Sequence, residues 1–443
     1  MSKFRLVAPF MVLMLVLVAC GNGDDDASPG TGDGDNGSPG AGADLDGETV
    51  SVLVVWGGAE LESFEAMIAP FEEETGVEVE IESTRDLNAV LTTRLAGGNP
   101  PDVAGLPGPG PMAEFARAGD LKPLPQEVLD VLQSDYDEGV ITDATVDDEL
   151  VGIFVKTSVK GLIFYNPAAM EAGGYSVPED YAGLESLVSD ISADGISPWG
   201  IALESGAATG WPATDWIEDF VIRQSGPEVY DQWVNGELAW SSDEIRAAWE
   251  AFGAWSTDEA FVNGGPQAVV NTPFGNGGDC MFGDEPECFL HHQASFITSF
   301  FEENNPEEAV AGETYDFFPM PGIDFDGVVY AGDLFGMFND TPAAAALMEY
   351  LVTADAQQIW VERGGALSAN QNVSLDAYPD DTSRRSAEFL VGAETIRFDG
   401  SDKMPAEMNE AFFGGILDFV QNPENLDSVL EELDSVQESA YGG

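Results

Sequence analysis

Thr49 to Ile81 reads TVSVLVVWGGAELESFEAMIAPFEEETGVEVEI. Thr49 to Trp56 is a run of β-branched and apolar residues, the composition of a strand. Gly57 and Gly58 open a loop. From Glu60 to Thr75 the apolar residues Leu61, Phe64, Ile68 and Phe71 recur at helical spacing, and Gly76 supplies the stop. Val77 to Ile81 alternates Val-Glu-Val-Glu-Ile, a second strand with one wet face. A second helix is expected from Asp86 to Leu95. Pro100-Pro101-Asp102-Val103 then leads into a glycine- and proline-rich loop, GLPGPGPM. This alternation predicts an α/β fold with a parallel sheet and helices on its faces.

The same pattern continues outward. Strands are expected over Leu150 to Val155 and Val159 to Tyr165, separated by Lys156-Thr157-Ser158, and again over Ile196 to Leu203, Tyr315 to Met320 and Val328 to Phe338. Helices are expected from Asn166-Pro167, over Tyr181 to Ile191, Ile245 to Trp255, Pro342 to Thr353 and Ala356 to Arg363, and through most of the C-terminal third. At 443 residues the chain has room for two or three domains or one large two-lobed unit, and its 44% hydrophobic content supplies real cores.

The charge is extreme. Against 81 Asp and Glu stand 15 Lys and Arg, a net charge of −66. Phosphate contact needs a basic face, so nucleic-acid partners are excluded, and so is docking on an anionic bilayer by charge. The acids are spread along the whole chain rather than gathered in a tail. Self-repulsion of this size is relieved by screening, which points to adaptation to high salt.

The first residues, MSKFRLVAPFMVLMLVLVAC, set a basic start (Lys3, Arg5) before an apolar run too short to span a membrane. The run ends Leu17-Val18-Ala19-Cys20, which resembles a bacterial lipobox: residues 1–19 would be a lipoprotein signal peptide and Cys20 the lipidated residue. Residues 20–47 are almost all Gly, Asp, Ser, Pro, Asn and Ala and cannot bury enough surface to fold. They read as a flexible acidic tether reaching about 25–30 Å. The mature protein is therefore expected on the outer face of the cytoplasmic membrane, lipid-anchored. Cys280 and Cys288 sit in CMFGDEPEC. Outside the cell they can close a disulfide contributing about 2–3 kcal/mol; the alternatives are free thiols or a metal pair with His291 and His292, a spacing that matches no usual zinc pattern.

Ser197 to Val221 reads SPWGIALESGAATGWPATDWIEDFV and holds three tryptophans among four carboxylates. Such a loop suits a polar ligand with an apolar face, as a sugar is. Thr214 and Asp215 are plausible N-caps for the helix that follows.

Four pieces in order carry a family resemblance: the lipobox with its tether; VVWGGAELESFEAMIAPFEEETGVEVE; PPDVAGLPG; and AGDLFGMF with ERGGALSAN. Together they resemble the extracellular solute-binding proteins of ABC importers, the group that includes maltose-binding protein, and the tryptophan loop looks like its α-glucoside-binding branch. The resemblance implies a two-lobed periplasmic-binding-protein-like fold, each lobe a mostly parallel sheet flanked by helices, with the ligand cleft between them. It implies lobe 1 over residues 48–158 plus 315–365 and lobe 2 over 159–314 plus 366–443. The partners implied are a carbohydrate and the permease subunits, with the chain acting as a monomer and needing neither cofactor nor metal.

The expected ligand-binding residues are Trp56, Glu60, Asp102, Glu204, Trp211, Asp215 and Asp333. Trp56 ends the first strand, and open α/β sheets bind ligands beyond the carboxyl ends of their strands. Glu60 can accept sugar hydroxyls or serve its own helix N-terminus. Asp102 lies at a second strand–loop junction, where it binds or caps. Glu204 ends a strand. Trp211 stands off any regular stripe and is the preferred stacking platform, whereas Trp199 and Trp216 read as packing. Asp333 interrupts an apolar run, so its carboxylate needs a partner. Gln293 and Ser295 are weaker candidates. A tethered oligosaccharide receptor is the first reading. An extracellular glycoside hydrolase is the second, because paired carboxylates beside tryptophans also describe such sites. A binder of a non-sugar solute is the third.

Overall fold

The computed structural model describes residues 45–442. The signal segment, Cys20 and most of the tether lie outside the described residues. Among the described residues no helix is long and apolar enough to cross a membrane.

The opening stretch folds as its pattern predicts. Strand Thr49–Val54 buries Val50, Val52, Leu53 and Val54, and helix Ala59–Thr75 lays Phe64, Met67, Ile68 and Phe71 against it. Gly76 ends the helix with φ +73°, a left-handed conformation glycine adopts without a Cβ penalty. Strand Glu78–Ser83 returns parallel to the first, with Val52 opposite Ile81.

A six-stranded sheet runs in the order Ile396–Phe398, Val328–Met337, Val103–Leu106, Thr49–Val54, Glu78–Ser83, with Ile153–Val159 pairing on Val328–Met337. Its N-terminal strands pair in parallel, and the long strand Val328–Met337 joins them antiparallel. A four-stranded sheet runs Asp316–Pro319, Leu162–Tyr165, Cys288–Gln293, Ser197–Trp199. Only its last pair is parallel. The six-stranded sheet is therefore mostly parallel and the four-stranded one mostly antiparallel, because the strand–helix–strand alternation that gives parallel pairing is confined to the N-terminal region.

Several local expectations are corrected. Lys156-Thr157-Ser158 does not separate two strands: it lies inside Ile153–Val159, and the break falls at Lys160-Gly161. Gly161 has φ +70°, and a Cβ there would stand 2.5 Å from the Asp219 carboxylate, so this crossover between the sheets requires glycine. Within GLPGPGPM, Gly105 and Leu106 end strand Val103–Leu106 and the second half starts helix Pro109–Ala118, whose prolines occupy a first turn that has no use for their missing N–H groups. Strands Cys288–Gln293 and Ile396–Phe398 had no expectation attached. Asp316–Pro319 belongs to the four-stranded sheet and Ile396–Phe398 to the six-stranded one.

Trp199 and Trp216 pack edge to face at 4.9 Å in the core beside the four-stranded sheet, as packing residues. Cys280 and Cys288 are bonded to each other, so neither is a free thiol or a metal ligand.

Candidate functional site

A cavity of about 200 Å³ opens where the chain passes between the two sheets. One wall comes from the six-stranded sheet: Trp56, two residues past the end of its strand, with Lys156, Ser158, Gly332 and Asp333 from the paired strands behind it. The facing wall is Ser205, Ala207, Ala208, Trp211 and Thr214, with the rings of Phe274 and Phe296. Asp399, Ser401, Asn409 and Phe413 complete it.

Two buried lysines organise the cavity. The Lys156 ammonium pairs with the Glu60 carboxylate and stands 3.5 Å from Asp333. Asp333 also accepts the Trp56 indole N–H at 3.2 Å. The same ammonium lies 5.3 Å from the centre of the Trp56 ring and 5.0 Å from that of Trp360, a cation–π arrangement that partly replaces lost hydration. Burial works against the charged amine, but the attraction of Glu60 and Asp333 outweighs it and holds Lys156 above its ordinary pKa. Burial and the neighbouring Glu60 charge push Asp333 up to about 6 despite that lysine.

Lys160 repeats the motif one step on. Its ammonium reaches Asp215 at 2.7 Å and Asp399 at 2.9 Å and sits 5.1 Å over the Trp211 ring. One ammonium can neutralise one carboxylate. The shifts divide accordingly: Asp399 is held below its ordinary range by Lys160 and by hydrogen bonds from Ser401 and the Asp402 N–H, while burial and the Asp399 charge push Asp215 up to about 8. Asp399 is the ion partner, and Asp215 is the acid that keeps a proton near neutrality. Its second oxygen has no hydrogen-bond partner among the described residues, which a neutral carboxyl tolerates better than a charged one. Glu218 holds this corner together by accepting the Gly400 and Ser401 N–H groups at 2.7 and 3.0 Å.

Of the sequence-predicted residues, Trp56, Glu60, Trp211 and Asp333 line the cavity together. Asp215 stands behind the wall, reaching it through Lys160. Neither Thr214 nor Asp215 is an N-cap: helix Trp211–Ser225 begins earlier, after Gly210 with Pro212 in its first turn, and the Thr214 hydroxyl donates back to Trp211 O. Asp102 is not in the cavity. It precedes strand Val103–Leu106, so it lies at the amino edge of the sheet, where its carboxylate accepts the Ser51 N–H and hydroxyl, each at 2.8 Å. Glu204 accepts the Gly206 N–H at 2.9 Å and shapes its own turn, leaving Ser205 to face the cavity. Gln293 and Ser295 are buried; Gln293 accepts from the Ala294 N–H and Ser295 donates no contact to the cavity but accepts the Val159 N–H.

Sequence reasoning missed Lys156, Lys160, Arg85, Asp399 and the phenylalanines 274, 296 and 413. The lysines carried a readable signal. Two cations inside an apolar stretch of so acidic a chain must be buried, and a buried cation must find carboxylates. Asp399, in FDGSDKM, carried none.

Residues 66–386 match the bacterial extracellular solute-binding protein family. The chain belongs to that family. This solute-binding protein is 38% identical over 396 residues to the alpha-glucosides-binding periplasmic protein AglE of Rhizobium meliloti, covering 86% of each chain. It is 37% identical over 384 residues to the osmoprotective compounds-binding protein GgtB of Synechocystis sp., covering 85% of this chain and 89% of that one. Among solved structures it superposes on a chitin oligosaccharide binding protein with a TM-score of 0.77 at 16% identity, over 89% of this chain and 99% of the other. Maltose-bound MalE3 of T. maritima gives 0.68 at 17% identity, over 88% and 99%. The solute-binding protein thus has the two-lobed fold of periplasmic binding proteins.

Proposed function

We propose that this solute-binding protein is a receptor for a neutral oligosaccharide, an α-glucoside, which it delivers to an ABC-type permease while tethered to the outer face of the cytoplasmic membrane through lipid on Cys20. The observation that carries the reading is the pairing, in one cavity, of a half-buried Trp211 ring with carboxylates already held in place by lysines. An aromatic face takes the apolar side of a pyranose, and fixed carboxylates accept its hydroxyls without being reordered on binding. The identity to the alpha-glucosides-binding relative supports the choice of sugar. Lobe 1 would carry the six-stranded sheet and lobe 2 the four-stranded one, with closure about the crossovers. Function in high salt follows from the net charge of −66.

The same ion pairs support a receptor over a hydrolase. A hydrolase needs one carboxyl group as acid and another free as nucleophile or base. Here Glu60 and Asp333 share Lys156, and Asp399 is tied to Lys160.

The test is calorimetric titration, in concentrated salt, with maltose, trehalose, sucrose and palatinose, followed by analysis of the recovered sugar. Saturable binding with the disaccharide intact is expected. Release of glucose would refute the receptor, and failure of all four to bind would refute the α-glucoside.

A further inference from the structure

Three cationic side chains line the cavity, and two of them, Lys156 and Lys160, are already neutralised by carboxylates. The third is Arg85. Among the described residues its guanidinium has neither an ion pair nor a hydrogen-bond acceptor. That is exceptional in this chain. Every other described arginine is paired with a carboxylate, apart from Arg363, which donates to the Ser63 hydroxyl at 3.2 Å. With 81 acids to choose from, a half-buried arginine left with its donors open is placed for something outside the chain.

Its position says what. Arg85 lies in the turn between strand Glu78–Ser83 and helix Leu87–Ala96, at the same carboxyl edge of the sheet as Trp56. From there it crosses to the facing wall, where its guanidinium carbon stands 5.0 Å from the centre of the Phe274 ring. A Cβ built on Gly206, in the same wall, would be 3.5 Å from the Arg85 Cβ. A guanidinium held over an aromatic ring keeps its edge donors, parallel N–H groups among them, available to a ligand.

We infer that Arg85 is a specificity-determining residue that donates two parallel hydrogen bonds to adjacent hydroxyls of one sugar ring, and that Phe274 sets its plane. The inference rests on the sugar-receptor reading above. The ligand group is a neutral diol rather than a carboxylate, because six acids, Glu60, Asp86, Asp333, Asp399, Asp402 and Glu410, line the cavity against three cations, and this excess repels an anion.

The experiment compares wild type, Arg85→Met, Arg85→Lys and Phe274→Leu. Each is titrated with whichever of maltose, trehalose, sucrose and palatinose binds wild type most tightly, and with glucuronic acid as the anionic probe. Loss of charge-assisted bonds is expected to raise Kd by about 10- to 100-fold in Arg85→Met. Lysine keeps the charge without the planar fork and should recover only part of it; Phe274→Leu should fall between wild type and Arg85→Met. The unfolding midpoint of unliganded Arg85→Met should fall only slightly, because its one internal contact is with the Phe274 ring; Phe274→Leu should lower it more, because that ring also packs on Trp211, Phe296 and Phe300. Unaltered disaccharide affinity in Arg85→Met would overturn the assignment while leaving the receptor reading standing, as would an unliganded midpoint lowered as far in Arg85→Met as in Phe274→Leu. Glucuronic acid binding more tightly than the disaccharide, and only through Arg85, would overturn the neutral-diol choice. Failure of wild type to bind any of the disaccharides would remove both readings.

Discussion

Replacing Asp215 by Asn tests the division of charge around Lys160. Asp215 is fully buried, and its folded pKa is pushed from 3.8 up to about 8 by burial and by Asp399. Between those values the native protein holds a proton that the unfolded chain has released. Stability from this group is therefore complete below the unfolded value and is lost as pH rises through the folded one. The slope is at most about 1.4 kcal/mol per pH unit for one proton. From about pH 5.5 to about pH 7.5 it amounts to about 2–3 kcal/mol. Asparagine has nearly the same shape, keeps an acceptor for Lys160 and does not titrate. Urea unfolding of both proteins at fixed high salt, followed by far-UV circular dichroism, should give a stability difference that moves in favour of Asp215→Asn by that amount as pH rises. Carboxylates remote from the Lys160 cluster titrate alike in both proteins and cancel. Parallel stability curves would refute the reasoning. A mutant that loses ground as pH rises toward 3.8, with parallel curves above that value, would mean that Asp215, not Asp399, is the ionised partner of Lys160.

Trp211→Ala should weaken disaccharide binding at least about 30-fold, the loss typical of a buried aromatic anchor, with an unchanged far-UV spectrum; calorimetry reads it. Asp102→Asn should leave Kd unaltered while lowering the unfolding midpoint, since its carboxylate holds Ser51 and accepts from Asn339 at the sheet edge away from the cavity. Cys280→Ser should cost about 2–3 kcal/mol in denaturant unfolding by releasing a closed loop of this length, and should not change sugar affinity.

The N-terminal strand–helix–strand was legible because each of its signals is local. The β-branched run, the helical stripe of Phe64, Ile68 and Phe71, and Gly76 as a stop act within a few residues of one another. The strand end at Trp56 and the interrupted run at Asp333 were legible for the same reason, and the structure brings both to the cavity. Periodicity misled where a polar residue was taken for a break. Lys156 sits mid-strand and still buries, because Glu60 and Asp333 arrive from elsewhere to meet it.

By itself, then, the sequence determined what short-range chemistry determines: the α/β class, the exclusion of nucleic acid by charge, most helices and strands, and the separation of Trp211 from the packing tryptophans. Tertiary structure alone decided which carboxylates face the cavity. Asp102 and Trp56 both mark strand–loop junctions, yet one stands at the amino edge of the sheet and the other at the carboxyl edge, and only strand direction tells them apart. It alone decided that Lys160 meets Asp399 across more than two hundred residues, and that Arg85 meets no carboxylate among the described residues. Ion pairing depends on distances between groups remote in the chain, and no local pattern encodes those distances.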